Sequence, residues 1–371
     1  MNRYIKSFTI FVACFALRTQ VFAFWDQSHQ LVAKVAEKKL NKESLSKVQK
    51  LLNVKISYPG NALLSQNTSS FDTAASWADS IKSYYNQPIN KTLSLCHYTD
   101  IPLKKSEINI DKSDEVLMEL LQEEIKKVPY NSVSCLKSAI KTLNTFTESD
   151  TNKAVAMRFV LHIMGDIAQP LHNVSLVDEN FEDAGGNKII FLDKINIANM
   201  DGSVNPVNNL HSLWDSSLSV YLQFPYIKND IKTGKFTDEQ KNLNELYAKN
   251  LLEDNELMEL ALKEISDTNI QNVENWVIES HKLAIKSVYT DLVFANDSGE
   301  HFNNIKTSFV KGWKDYQSQR KKLMQLQILK AGLRLQLLIE AMYSENPNRN
   351  SYRELIEEIL NDPEVKTLRV N

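Results

Sequence analysis

The sequence predicts an all-α protein: a single large helical domain carrying one small β-hairpin flap. Only nine glycines and nine prolines punctuate 371 residues. Apolar residues recur with a helical period over long stretches, and one short run alone reads as strand. The length allows one large domain or two ordinary ones. No internal repeat or interior linker argues for a division, so one domain is expected from 24 to 345, followed by a charged appendix at 346–371.

Residues 1–23 read as a secretory signal, with Arg3 and Lys6 as a basic start, Phe8 to Leu17 as an apolar stretch and Val21-Phe22-Ala23 as a small-residue cleavage site. The mature chain would begin at Phe24. The apolar stretch is about ten residues, short of the ~20 that cross a bilayer as a helix. No later run reaches that length, so a secreted or periplasmic protein without stable membrane association is expected. Lipoprotein processing at Cys14 is disfavoured, because Phe11 stands where that signal wants an aliphatic residue. Cleavage removes three of the 43 basic residues and none of the 46 acidic ones, leaving 40 against 46 and a net charge near −6. Such a balance argues against a general polyanion-binding surface, and leaves any nucleic-acid contact to a local site.

Asp26 can cap a first helix carrying His29, Val32, Val35, Ala36 and Leu40, closed by Asn41. Further helices are expected at 43–52, at 70–85 with Trp77, Asp79 and Lys82, at 113–127, at 133–148 and at 152–169, with an irregular segment at 86–112. In Asp183-Ala-Gly-Gly-Asn187-Lys-Ile-Ile-Phe191, paired glycines precede an apolar β-branched pair, which suggests the hairpin flap. A phosphate-cradling loop would need a wider glycine spacing or a following Lys-Ser/Thr. Helix resumes at 213–222, 239–251, 255–267, 271–293 and 303–344, the last with a leucine-rich stripe, and 351–361 forms the short charged appendix. Trp276, His281 and His301 are assigned to packing or surface.

The chemistry centres on Arg158-Phe-Val-Leu-His162-Ile-Met-Gly-Asp166-Ile-Ala-Gln-Pro170-Leu-His172. Residues four apart share a helix face, so His162 and Asp166 project side by side from an otherwise apolar segment. Pro170 ends the helix near Gln169 and turns His172 to another angle. An isolated His-x-x-x-Asp is more often a core helix with one hydrogen-bonded histidine. This one is not isolated. His211 and Asp215 repeat the spacing, Ser76-Trp-Ala-Asp79 and Cys96-His97-Tyr-Thr-Asp100 add candidates, and with His29 five of the seven histidines fall in such motifs. Imidazole nitrogen and carboxylate oxygen suit zinc, which takes four or five ligands. Eight such side chains, His29, Asp79, His97, His162, Asp166, His172, His211 and Asp215, are too many for one ion and about right for three if some bridge. Cys96 and Cys135 remain after cleavage; an even pair in an exported protein suggests one disulfide, with two unpaired buried thiols as the alternative. Neither has a partner at a short metal-type spacing, which speaks against zinc ligation by thiol.

The ordered set resembles the zinc-dependent S1/P1 nuclease family, related to bacterial zinc phospholipase C. The matching pieces are an aromatic residue five before His29, Ala75-Ser-Trp-Ala-Asp79, Cys96-His-Tyr-Thr-Asp100, the run from Phe159 to His172, Gly185-Gly-Asn187, Asn209-Leu-His-Ser-Leu-Trp-Asp215 and the helix around Gln327 to Leu335. The resemblance implies a helical domain of the phospholipase C/P1 nuclease type with three zinc ions. One would be held by Asp79, His97, His162 and Asp166, and its neighbour by Asp166, His29 and the amine and carbonyl of Phe24. The third would use His172, His211 and Asp215. Phe24 stands where the family typically has Trp, a change that backbone ligation should tolerate.

By the same resemblance, the paired ions would activate water for in-line attack on a phosphodiester, and the third would stabilise the leaving 3′ oxygen. Asp79 would also orient the attacking water. Lys82 would neutralise phosphoryl charge, or be an ordinary solvated lysine. Tyr98 and Asp100 would stack on and hydrogen-bond a base, with a packing role open for Tyr98. The implied activity is hydrolysis of single-stranded DNA and RNA to 5′-phosphates, with 3′-nucleotidase activity, by a monomer. A phospholipase C using the same metals is the alternative, though that branch usually ends its last motif in Glu where Asp215 stands. A non-catalytic metal-binding protein would need a broken ligand, and none is found.

Overall fold

The computed structural model describes residues 26–56, 68–82, 93–179, 181–198, 204–219, 238–266, 272–295, 304–345 and 350–368. The expected signal, Phe24, His301 and the Asn346-Pro-Asn-Arg break lie outside these. The fold is mostly helical, as expected. Its helices are α1 (Asp26–Lys39), α2 (Lys42–Leu52), α3 (Phe71–Ala75), α4 (Trp77–Lys82), α5 (Asp114–Lys127), α6 (Ser132–Asn144), α7 (Asp150–Ala168), α8 (Leu210–Asp215), α9 (Asp238–Glu253), α10 (Asn255–Ile265), α11 (Val273–Leu283), α12 (Trp313–Tyr343) and α13 (Asn350–Asn361).

Helix α7 occupies the centre. Every residue from Ala154 to Ala168 is buried, so beyond its first turn the helix has no solvent face and its periodicity is masked by apolar residues all round. It packs on α1, α2, α3, α6, α11 and α12. It begins two residues earlier than expected, because Ser149 caps it, accepting from Asn152 N at 3.2 Å. Buried Arg158 is held by Thr68 Oγ1, Thr68 O, Leu52 O and Ala154 O, which ties the chain after α2 to α7 without a carboxylate. Helix α12 runs behind α1, buried continuously from Leu326 to Ala341. The two backbones approach so closely at Gly332 that a Cβ there would overlap the Val35 side chain.

The departures from the expected elements have local causes. The helix expected at 70–85 breaks at Ser76, whose hydroxyl donates to Asp26 O at 3.3 Å, so α3 and α4 are separate. The helix expected at 271–293 stops at Leu283, passes through a wide turn over Ala284–Val288 and becomes strand β6 (Leu292–Phe294). The one expected from 303 begins as strand β7 (Ile305–Phe309), whose alternating β-branched residues suit a strand, and Gly312 at φ 86 redirects the chain into α12. Helix α8 sits three residues earlier than expected, because Asn209 caps it. Helix α6 ends at Asn144 rather than 148.

There is also more sheet than a single flap. Strands β1 (Pro102–Lys104), β2 (Ser175–Asp178) and β3 (Phe181–Glu182) form one sheet, while β4 (Ile189–Ala198), β5 (Val204–Asn209), β6 and β7 form another in the order β5-β4-β7-β6. The Gly185-Gly186 pair makes the turn between the two sheets. The segment expected to be irregular contains β1 and two single 3₁₀ turns, at Leu95–His97 and Lys105–Glu107. The charged tail is docked: α13 buries Tyr352, Leu355, Ile356 and Ile359, and Leu368 N donates to Thr142 Oγ1 at 2.7 Å. Trp276 and His281 are both buried, with His281 Nδ1 donating to Asn173 O at 2.9 Å.

Cys96 and Cys135 are bridged, tying the 3₁₀ turn that carries His97 to α6 across 39 positions of sequence. Replacing both with Ser should lower stability by about 2–4 kcal/mol. Urea denaturation checks this, alongside peptide mapping of the non-reduced protein. Two alkylatable thiols in freshly isolated protein would contradict the bridge.

Candidate metal centre

Six separate elements deliver the eight expected side chains to one buried region. Helix α1 brings His29, α4 Asp79, the first 3₁₀ turn His97, α7 His162 and Asp166, the 3₁₀ turn Pro170–His172 brings His172, and α8 His211 and Asp215. The i, i+4 spacing does what helix geometry requires in both pairs: His162 Nε2 lies 3.1 Å from Asp166 Oδ2, and His211 Nε2 3.2 Å from Asp215 Oδ2. Gln169 caps the end of α7, its side chain accepting from Leu171 N at 2.6 Å, which swings His172 away as Pro170 foretold.

Asp166 is the hub. Its Oδ2 also lies 3.0 Å from His97 Nδ1, while Oδ1 faces His172 Nδ1 at 3.2 Å and His29 Nε2 at 3.4 Å. Asp79 completes this side, 3.7 Å from both His97 Nδ1 and His162 Nε2 and 3.9 Å from His29 Nε2. On the other side His172 Nε2 lies 3.3 Å from Asp215 Oδ1. Ligand atoms fall within 4.8 Å of one another in three groups: His29, Asp79 and His162; His97, His162 and Asp166; and His172, His211 and Asp215.

The donor set fits a cation better than it fits itself. His162 Nδ1 faces Ala75 O at 2.6 Å, His172 Nδ1 faces His97 O at 2.8 Å and His211 Nδ1 faces Gly185 O at 2.6 Å. A carbonyl only accepts, so each Nδ1 carries a proton and each ring turns its Nε2 toward a carboxylate. Two lone pairs face to face repel unless a proton or metal lies between them. At the second cluster neither His211 Nε2 nor Asp215 Oδ2, both buried, makes a hydrogen bond. Burial would raise both carboxyls, yet His162 and its neighbours hold Asp166 well below the usual carboxylate range, and His211 and His172 depress Asp215. Burial and the adjacent His162 ring push His29 down, so it favours the neutral, ligating form. Burial lowers His172, but Asp166 and Asp215 raise it to about 10, so a proton on that ring occupies a place that a divalent metal could take among these carboxylates.

Of the other expected residues, Lys82 closes α4 one turn after Asp79. Tyr98 is half-buried beside His97; burial, then Asp100, pushes its phenol up to about 12. Asp100 is raised well above the carboxylate range by burial, then by Glu182 and Asp183. Two supporting residues escaped the motif reading. Gln169 Nε2 donates to Asp215 Oδ1 at 2.7 Å, joining α7 to α8, although in the sequence it reads only as the last helical residue. Gly165 lies beneath His29: a Cβ there would come within 2.6 Å of His29 Nδ1, which explains a glycine immediately before Asp166.

The profile of the S1/P1 nuclease family matches residues 24–344. The chain is 27% identical to nuclease S1 of Aspergillus oryzae over 245 residues, covering 62% of this chain and 70% of that protein. It is 23% identical to endonuclease 4 of Arabidopsis thaliana over 323 residues, covering 86% and 89%.

Replacing Gly165 with Ala should displace His29 and weaken metal binding at the Asp166 cluster by about tenfold or more, leaving the His172, His211 and Asp215 cluster intact. Zinc titration against a chromophoric chelator would resolve the two affinities. Equal binding by both proteins would contradict the packing role of Gly165.

Proposed function

This chain belongs to the S1/P1 nuclease family, and on that premise we propose an exported, zinc-dependent monomer that cleaves single-stranded DNA and RNA to 5′-phosphate products and removes the phosphate of 3′-nucleotides. It is a hydrolase acting on phosphodiester bonds. The observation that carries the finer reading is Asp166, a buried carboxylate whose two oxygens face His97 and His162 on one side and His29 and His172 on the other.

By this reading Asp79, His97, His162 and Asp166 would hold one zinc ion. Asp166, His29 and the terminal amine and carbonyl of Phe24 would hold the second, and His172, His211 and Asp215 the third. Zinc bound there would polarise a phosphate and make water acidic enough to attack at neutral pH. Asp79 orients the attacking water, and Lys82 offsets charge gathering on the phosphoryl oxygens. Tyr98 offers its ring to a base, and Asp100 can hydrogen-bond the base edge; its raised carboxyl affinity for a proton would let it donate as well as accept. A base held in this way cannot stay paired or stacked in a duplex, hence the single-strand preference. The excess of acidic residues leaves substrate binding to the site itself rather than to a general basic surface.

The mature protein should hydrolyse single-stranded DNA and a 3′-mononucleotide, and leave phosphatidylcholine untouched. Turnover of the lipid alone would favour the phospholipase C reading, and Asp215, where that branch has Glu, is the reason to expect otherwise. Elemental analysis after mild dialysis should find about three zinc ions per chain, and Asp166→Ala should lose the paired ions with essentially all activity. A value near one zinc in the unaltered protein would defeat the trinuclear assignment.

A terminal amine can ligate only when free and unprotonated. One Gly added before Phe24, or retention of residues 1–23, should therefore lower zinc content and turnover together. Equal zinc and equal turnover in the extended and mature forms would remove the amine from the ligand set.

A further inference from the structure

Two buried polar side chains beside the His172, His211 and Asp215 cluster have no part in the chemistry above. Asp183 is 0% exposed and Tyr289 1%. Asp183 Oδ1 accepts from Leu176 N at 2.7 Å and from Ser175 Oγ at 3.3 Å, both on β2. Its Oδ2 accepts from the Tyr289 hydroxyl at 2.8 Å, which arrives from the wide turn after α11. The carboxylate thus joins two elements more than a hundred residues apart in sequence.

The turn that Asp183 opens is one that side chain-bearing residues rarely adopt. Ala184, Gly185 and Gly186 have φ of 51, 60 and 82° in succession, all in the left-handed region. The turn closes on Asp183 itself, whose carbonyl accepts from Lys188 N at 3.0 Å. What the turn presents is addressed to the second metal cluster. Gly185 O accepts from His211 Nδ1 at 2.6 Å, Gly186 O accepts from His211 N at 3.3 Å, and a Cβ on Gly185 would overlap Leu171 O, the residue before His172. The His172 and His211 rings stack at 5.0 Å, so both answer to the placement of this one turn.

We infer that Asp183 and Tyr289 are positioning residues for the His172, His211 and Asp215 cluster: together they hold the Ala184–Lys188 turn so that the Gly185 carbonyl keeps the proton of His211 on Nδ1 and aims Nε2 at Asp215. The inference rests on the metal-binding reading of that cluster. A carboxylate anchored at three points and a phenol buried to its hydroxyl give the turn the rigidity that its own backbone lacks. A ring nitrogen held by a fixed carbonyl is both correctly oriented and more basic toward metal.

The test uses the full mature protein with Tyr289→Phe, which removes one hydroxyl, and Asp183→Asn, which preserves shape. In the cadmium-loaded protein, ¹¹³Cd NMR should show a shifted or broadened signal from the His172, His211 and Asp215 cluster alone, with cadmium affinity there about tenfold lower. In the metal-free protein, ¹H–¹⁵N spectra of the histidine side chains should show His211 changing from a single Nδ1–H tautomer to a mixture. An unchanged His211 tautomer with unchanged cadmium signals would overturn the inference, as would an equal loss at every site, which is what mere destabilisation produces. Absence of the cluster's signal in the unaltered protein would overturn the inference and the metal-centre reading together.

Discussion

Asp166 has no access to water, and it sits near the end of a helix buried at every residue from Ala154 to Ala168. Taking a carboxylate out of water costs several kcal/mol even after relaxation, so its charge has to be answered within bonding distance. Four imidazoles from four elements surround it, so that a proton or cation held between ring and carboxylate can answer the charge. Helix α1 enters with its first turn against α7, and Gly165 is bare so that His29 can reach the carboxylate. The 3₁₀ turn carrying His97 is drawn onto α7 and stapled to α6 by the disulfide. Helix α8 is held by Gln169 from the end of the same helix. The fold is arranged around a charge that would be intolerable without its neighbours.

An all-apolar core would have been simpler to stabilise, and α7 comes close to one. Its remaining surface is Ala, Val, Met, Phe, Leu and Ile, with Arg158 satisfied by oxygens of Thr68, Leu52 and Ala154. The polar groups of the centre are confined to its C-terminal half and to residues arriving from elsewhere. That division lets hydrophobic burial along the first half of α7 and along α12 support a cluster whose ligands, left to themselves, oppose lone pair to lone pair.

Much of this was legible in the chain because helix geometry is local. The i, i+4 pairs His162 with Asp166 and His211 with Asp215, and the break at Pro170, need nothing beyond their own segments. The long-range partners did not announce themselves. Asp183 and Tyr289 are ordinary residue types more than a hundred positions apart, and Gln169 reads as the last residue of a helix. The strands at Leu292–Phe294 and Ile305–Phe309 sit beside strong helical runs; β7 is made a strand by pairing with β4, more than a hundred residues earlier, and β6 by pairing with β7. Ser76 splits a helix because its hydroxyl finds Asp26 O, an acceptor that no window of sequence contains.

The close crossing of Val35 and Gly332 also governs timing. The first described helix packs against one that begins almost three hundred residues later, so its main partner does not exist until most of the chain has been made. At ribosomal rates of about 5–20 residues per second, that is a wait on the order of tens of seconds. Over that interval the start of the chain can meet α3 and α7 but not the helix it packs on most extensively. His29 rides on α1, so the support that α12 gives this arm of the centre is complete only once residues 313–343 are in place.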